Sequence, residues 1–257
     1  MSGRLKDLFQ LKRKNILSIY CTAGFPELES TLKVLQALQL YGADMIEIGI
    51  PFSDPLADGP VIQNSSAIAL QNGMSLEKLF EQLKNFREKI SIPIILMGYL
   101  NPVLQFGFEN FCRRASEIGI DGLIIPDLPG IEFEKTYGAI IHQNKLEFIF
   151  LITPETSDQR IRRLDDLSSG FLYAVTESAT TGNENKTFHA MNFLQHLSTM
   201  NLKNPVLAGF GIYDKNSFNK VCACTNGAII GSAFIKSLHS AKTIDLDTAR
   251  FLKSIVN

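Results

Sequence analysis

The chain has 257 residues, of which 45% are hydrophobic and 20% charged, with a formal net charge of -1. This is an ordinary globular composition, long enough for one large α/β domain or two small ones. The near-zero charge excludes a basic field for nucleic acid or an anionic membrane, and no apolar run approaches the ~20 residues that span a bilayer.

The opening stretch, MSGRLKDLFQLKRKN, mixes charge with short apolar runs and lacks the apolar core of a signal peptide. It is read as a short N-terminal helix, and the cytoplasm is the expected location. ILSIYCT (16–22) is the first strand. ESTLKVLQALQLYG then sets Leu32, Leu35, Leu38 and Leu40 near helical spacing and stops at Gly42. MIEIGI (45–50) is the second strand, and SLEKLFEQLKNFREKI (75–90) is a helical pattern opened by a Ser cap. The remaining strands are IPIILMG (92–98), GLIIP (122–126), EFIFLIT (147–153), FLYAV (171–175), PVLAG (205–209) and GAIIG (227–231).

These strands are apolar throughout rather than alternating, so both faces are expected to be buried, as in a parallel sheet covered by helices. Eight strand–helix units in this length fit an α/β fold of the (β/α)8 TIM-barrel type. A doubly wound open sheet is the alternative, but no G-x-G-x-x-G follows the first strand. YGADMIEIG, IGIDGLIIP and CTNGAIIGS echo one another as helix end, turn and buried strand. No Pro- or Ser-rich linker divides the chain, so a single domain over 1–257 is expected.

Cys21, Cys112, Cys222 and Cys224 lack metal-site spacing and are read as reduced packing residues. His142, His189, His196 and His239 are scattered and suggest no ligand cluster.

Barrel enzymes work where strands hand over to the loops that follow them. Gly182, Gly209, Gly211, Gly231 and Ser232 all come just past the last strands. Glycines let backbone N–H groups approach an anion, so a phosphate site is expected there, held by backbone dipoles more than by full charges. Glu47 sits mid-strand between Ile46 and Ile48, and the pleat sends it to the face opposite both. A carboxylate there is costly unless it is partnered or functional. One reading is a buried acid bonded to a hydroxyl or an N–H; the other is a general acid–base with a raised pKa. Asp54 and Asp58 lie on a loop stiffened by Pro51, Pro55 and Pro60, and spacing alone leaves them as turn-formers, helix caps or functional groups.

EIGIPFSDPLADGPVIQ is similar to the signature of the tryptophan synthase α-subunit family. The resemblance extends to TAGFP after strand one, NP after strand three, PDLP after strand four, TTG after strand six, GFGI after strand seven and GSA after strand eight. It implies a (β/α)8 barrel without cofactor or metal of its own. The implied activity is a lyase cleaving indole-3-glycerol phosphate to indole and glyceraldehyde 3-phosphate in tryptophan biosynthesis. The implied partner is a β subunit, in an αββα assembly. By resemblance the catalytic residues are Glu47 and Asp58, and the phosphate ligands Gly182, Phe210, Gly211, Gly231 and Ser232. The indole pocket falls on Tyr20, Met97, Ile124 and Tyr173, and lid or partner loops on Asp54, Asp127 and Thr181.

The chain departs from the family pattern after strand six, where it reads TESATTG: Glu177 and Ala179 stand where many relatives carry arginine and glycine. Tyr20 stands where some relatives carry phenylalanine. A catalytically weak barrel that mainly activates the β subunit is the alternative reading. Another phosphate-binding barrel, such as a sugar-phosphate isomerase or epimerase, is a third, for which the PFSDPLADGP loop has no evident use.

Overall fold

The computed structural model describes residues 3–176, 184–209 and 211–256. After an N-terminal helix α1 (Gly3–Leu11), the strands are β1 (Ile16–Thr22), β2 (Met45–Gly49), β3 (Ile94–Met97), β4 (Gly122–Ile124), β5 (Glu147–Phe148), β6 (Phe150–Ile152), β7 (Leu172–Val175), β8 (Val206–Gly209) and β9 (Gly227–Ile230). They form one sheet in the order β5-β4-β3-β2-β1-β9-β8-β7-β6, and every pairing is parallel. The two ends of that order are consecutive in sequence, separated only by Ile149, so the sheet returns on itself as a barrel.

Helices follow the strands: α2 (Thr31–Leu40) after β1, α3 (Pro60–Gln71) and α4 (Leu76–Gln82) after β2, and α5 (Leu100–Phe106) and α6 (Phe108–Ile118) after β3. α7 (Gly130–Glu132) and α8 (Gly138–Gln143) follow β4, α9 (Asp158–Leu167) follows β6, and α10 (Glu184–Thr199) follows β7. α11 (Lys215–Cys224) follows β8, with α12 (Ser232–Ser237) and α13 (Ile244–Val256) after β9. The TIM barrel expected from the strand rhythm is the fold observed.

Two local expectations are corrected. The stretch 147–153 is not one continuous strand, because β5 pairs only with β4 and β6 only with β7. The stagger of a closed barrel lets a short strand meet each neighbour over a different part of its length. The helical pattern over 75–90 also breaks. Ser75 does cap it, accepting from the Lys78 N–H at 3.2 Å, but α4 ends at Gln82. Asn85 then takes a left-handed φ of 63° before a tight turn at Phe86–Glu88, a conformation asparagine tolerates. The break buries Phe86 and delivers Arg87 to the foot of the barrel.

The pleat sorts side chains into two layers. Ile46 and Ile48 of β2 join the large core between sheet and helices, while Met45 joins the barrel interior with Ile16, Ile95, Ile124, Leu207 and Ile229. Leu5 and Phe9 of α1 pack into the same interior cluster and plug its N-terminal end. Asp121 secures that end by accepting from Arg4 Nη1 at 3.0 Å, from Arg87 Nη2 and from the Ile94 N–H at 2.8 Å. Asp44 does likewise for Lys12 Nζ at 2.6 Å and the Leu17 N–H at 2.8 Å.

All four cysteines are free, and Cys21, Cys112 and Cys222 are buried, with thiols pushed up to about 12 chiefly by burial. No helix among the described residues is long and apolar enough to cross a membrane.

Candidate active site

At the end of the barrel opposite α1, strand ends and loops surround a cavity of about 340 Å³. Tyr20 of β1, Met97 of β3, Tyr173 of β7 and Ile229 of β9 form its inner wall. Asp58–Ile62 come from the loop after β2 and the start of α3, and Gly211–Tyr213 from the loop after β8. Gly231, Ser232, Ala233 and Lys236 complete the rim.

Small residues make room for the two tyrosines. A side chain at Gly49 would collide with the Tyr20 hydroxyl, and one at Gly209 with the Tyr173 hydroxyl. Gly209, counted from the sequence among the phosphate-binding glycines, therefore has a packing reason of its own.

Glu47 shares the inward face of β2 with Met45, and the sheet register sets it beside Tyr20 of β1 and Ile95 of β3. It is fully buried. Oε1 accepts from the Ser18 hydroxyl at 2.8 Å, while Oε2 has no hydrogen-bond partner among the described residues. Burial pushes the carboxyl up to about 8, against the opposing pull of the Ser18 bond. A group in that state is mostly protonated at neutral pH and close enough to its pKa to exchange the proton. Glu47 does not itself line the cavity. Burial raises the Tyr173 hydroxyl first, followed by the charges of Glu47, Tyr20 and Asp58, which places all four in one electrostatic neighbourhood.

Asp58 is half-buried at the cavity wall. Tyr99 Oη donates to Asp58 Oδ2 at 3.1 Å and accepts from the Ala57 N–H at 3.0 Å. The Tyr99 ring packs on Phe52 with centroids 5.3 Å apart. Burial raises the Asp58 carboxyl and the Tyr99 bond pulls it back down. Gln63 Nε2 also donates to the Asp58 carbonyl at 2.8 Å, so the acid is held at both backbone and side chain.

Gly211, Gly231 and Ser232 lie together on the cavity rim. Gly211 has a φ of 73°, a left-handed conformation that favours glycine. Lys236, one helical turn beyond Ser232, adds the cation that the glycine-rich segments themselves lack. The other site expectations divide. Ile124 is in the barrel interior but does not line the cavity. Asp54 is exposed and accepts from the Ser53 hydroxyl at 2.5 Å. Asp127 is exposed and accepts from the Leu100 N–H at 2.8 Å, where α5 begins. Thr181, Gly182 and Phe210, with Glu177 and Ala179, lie outside the described residues. Among the described residues no group of three or more His, Cys, Asp or Glu is arranged to hold a metal ion.

Sequence reasoning missed Ser18, Tyr99 and Lys236. The inward alternation of ILSIYCT could have flagged Ser18, and the position just past strand three could have flagged Tyr99.

Residues 6–255 match the family model described as tryptophan synthase alpha chain. The tryptophan synthase alpha chain of Flavobacterium psychrophilum is 53% identical over 226 residues, covering 88% of this chain and 89% of the relative. That of Bacteroides fragilis is 48% identical over 257 residues, covering 99% and 97%. An X-ray structure of the tryptophan synthase complex from Pyrococcus furiosus superposes with a TM-score of 0.86 at 34% identity, covering 95% of this chain and 99% of that one. The chain belongs to the tryptophan synthase alpha chain family.

Proposed function

We propose that Glu47 and Asp58 carry the retro-aldol cleavage of indole-3-glycerol phosphate in this chain. As a tryptophan synthase alpha chain the protein is an indole-3-glycerol-phosphate lyase of tryptophan biosynthesis; the residue roles are our reading. Neutral Glu47 gives its proton to indole C3, which leaves positive character at the ring nitrogen. The Asp58 carboxylate accepts a hydrogen bond from N1–H and stabilises that charge. The bond from C3 to the glycerol carbon then breaks and its electron pair returns to the ring. The glycerol C3′ hydroxyl becomes the aldehyde as its proton passes to the Glu47 carboxylate, which restores the starting acid. Glu47 is covered in this structure, so the side chains between it and the cavity must shift for substrate to reach its unpartnered Oε2.

The phosphate would rest on the backbone N–H groups around Gly211, Gly231 and Ser232, with Lys236 beside it, and with Gly182 and Phe210 contributing from their loops. Tyr20, Met97 and Tyr173 would wall the indole ring, with Ile124 supporting from below. We further propose that the chain works in the cytoplasm as a single barrel domain, joined to a β subunit in an αββα tetramer. Asp54, Asp127 and Thr181 would then belong to the loops nearest that partner.

The observation that carries this reading is the placement of an unpaired buried carboxyl and a cavity-wall carboxylate around the same two tyrosines. The test is release of indole from indole-3-glycerol phosphate by the purified chain, alone and with a β subunit. Asp58→Asn should lower kcat about 100-fold, the scale of one lost charge-stabilising contact. Near-normal kcat in that variant would remove Asp58 from the mechanism.

A further inference from the structure

Ser18 is a hydroxyl on the inward face of β1, where its strand neighbours in that row are Ile16 and Tyr20. It is completely buried, and among the described residues its side chain makes one hydrogen bond, to Glu47 Oε1 at 2.8 Å. A buried hydroxyl is costly without a partner, and an apolar residue would fill this position at no polar cost. The Glu47 carboxyl is equally buried, and its second oxygen is left without a partner. The two oxygens are therefore unequal: one is fixed to the neighbouring strand and the other is free.

We propose that Ser18 is a positioning residue for Glu47: its hydroxyl anchors Oε1 against β1 and leaves Oε2 as the oxygen that gives and takes the proton. This rests on the reading of Glu47 as the proton shuttle. Ser18 does not line the cavity, so it acts on substrate only through Glu47. The bond favours the charged carboxylate and opposes the rise caused by burial. The other titratable groups near Glu47 are Tyr20, beside it in the sheet register, and Tyr173 of β7, with Cys21 feeling its charge from the opposite face of β1 and Asp58 acting on both tyrosines; no cation is among these described groups. Among the described residues no other group is hydrogen-bonded to the Glu47 carboxyl.

Losing a hydrogen bond to a charged group moves a pKa by about one unit or more. In Ser18→Ala the loss of kcat/KM on the alkaline side, where Glu47 gives up its proton, should therefore move up by about one pH unit. KM should stay within about twofold, because Ser18 does not reach the cavity. Ser18→Thr, which keeps the hydroxyl, should return the limb toward its original position. Infrared titration of the carboxylic C=O stretch, identified by its disappearance in Glu47→Gln, reads the same group without turnover and should show the same upward shift in Ser18→Ala. An unmoved infrared midpoint in Ser18→Ala overturns the positioning role. Retained turnover in Glu47→Gln would instead defeat the catalytic reading, while the infrared shift would still report the Ser18 bond.

Discussion

Two acids with side chains shielded from water stand at opposite ends of the same barrel, and they are treated in opposite ways. Asp121, at the end closed by α1, accepts from two guanidinium groups and a backbone N–H. Glu47, toward the cavity, has one neutral hydroxyl and a free oxygen. An ionised carboxylate in an apolar interior must be paired or it neutralises. Asp121 is paired and serves as a fastener between α1, Arg87 and the starts of β3 and β4. Glu47 is left unpaired, and burial pushes it up to about 8, which leaves it a proton to exchange. The same side-chain chemistry thus yields a structural group or a reactive one according to whether a cation faces it.

The sharpest way to break this contrast is Glu47→Gln. General acid–base catalysis gives about 10²–10⁴-fold for each proton transfer, and Glu47 serves two, so turnover should fall by at least about 10³-fold. Stability should move the other way. The folded carboxyl is raised from its ordinary 4.5 to about 8, so its contribution is fully present below 4.5 and is lost as pH rises toward 8. The variant has no such loss. Urea unfolding should give nearly equal stabilities below pH 4.5 and a variant more stable by several kcal/mol, on the order of 5, above pH 8. A difference that does not change with pH would mean the acid is not held neutral in the fold.

Asp121→Asn probes the other pole. It leaves the Arg87 guanidinium largely buried without its counter-charge, with side-chain exposure of only 15%. Burial already lowers Arg87 to about 10 even with Asp121 present. Breaking one side of a buried pair typically costs 3–5 kcal/mol. Arg4 is 41% exposed and hydrated, so the lower figure, about 3 kcal/mol, is expected by denaturant unfolding. Values of kcat and KM per folded molecule should stay within about twofold, because Asp121 is at the far end of the barrel from the cavity. A comparable loss of turnover would show that the two ends are not separable.

How much of this was legible in the sequence follows from the physics of each group. Period-two alternation is a property of the strand itself, so Glu47 falls on the face opposite Ile46 and Ile48 once β2 is recognised, while the closed fold decides which of the two faces looks inward. The mostly apolar strands likewise announced a sheet covered on both faces. Asp121 gave no signal, because its partners are 117 and 34 residues away and Arg87 arrives only through the break after α4. The split at Ile149 reflects barrel stagger, which depends on the neighbours' registers and not on local pattern. Tyr99 and Ser18 were missed because a single hydroxyl carries no periodicity, and its importance is set by the acid it meets across the fold. Ile124 was assigned to the pocket by resemblance, whereas its depth in the barrel is decided by the side chains above it.

Asp58 lies between the two poles, half-buried and held by one phenol, and Tyr99→Phe tests that intermediate state. The substitution keeps the ring that packs on Phe52 and removes the hydroxyl shared by Asp58 and the Ala57 N–H. One lost hydrogen bond to a charged group predicts a drop in kcat/KM of about tenfold, close to 1.4 kcal/mol. The Tyr99 bond lowers the Asp58 pKa, so its removal should also move the acidic limb of kcat/KM upward. A drop in kcat/KM with that limb unmoved would assign Tyr99 to holding the loop and not to tuning the acid.

The smallest effect should come from an ion pair that distance alone would rank above Arg4–Asp121. Arg113 Nη1 meets Glu117 Oε1 at 2.6 Å along α6, against 3.0 Å for Arg4 and Asp121. Both side chains of the α6 pair are more than half exposed, at 56% and 57%. Water screens the attraction, and ordering two long side chains offsets what remains, so exposed helix pairs contribute below about 0.5 kcal/mol. Glu117→Gln should therefore leave the unfolding midpoint nearly unchanged, and raising the salt concentration should erase any residual difference. A loss approaching that of Asp121→Asn would show that separation, rather than burial and the number of facing cations, sets the worth of an acid in this barrel.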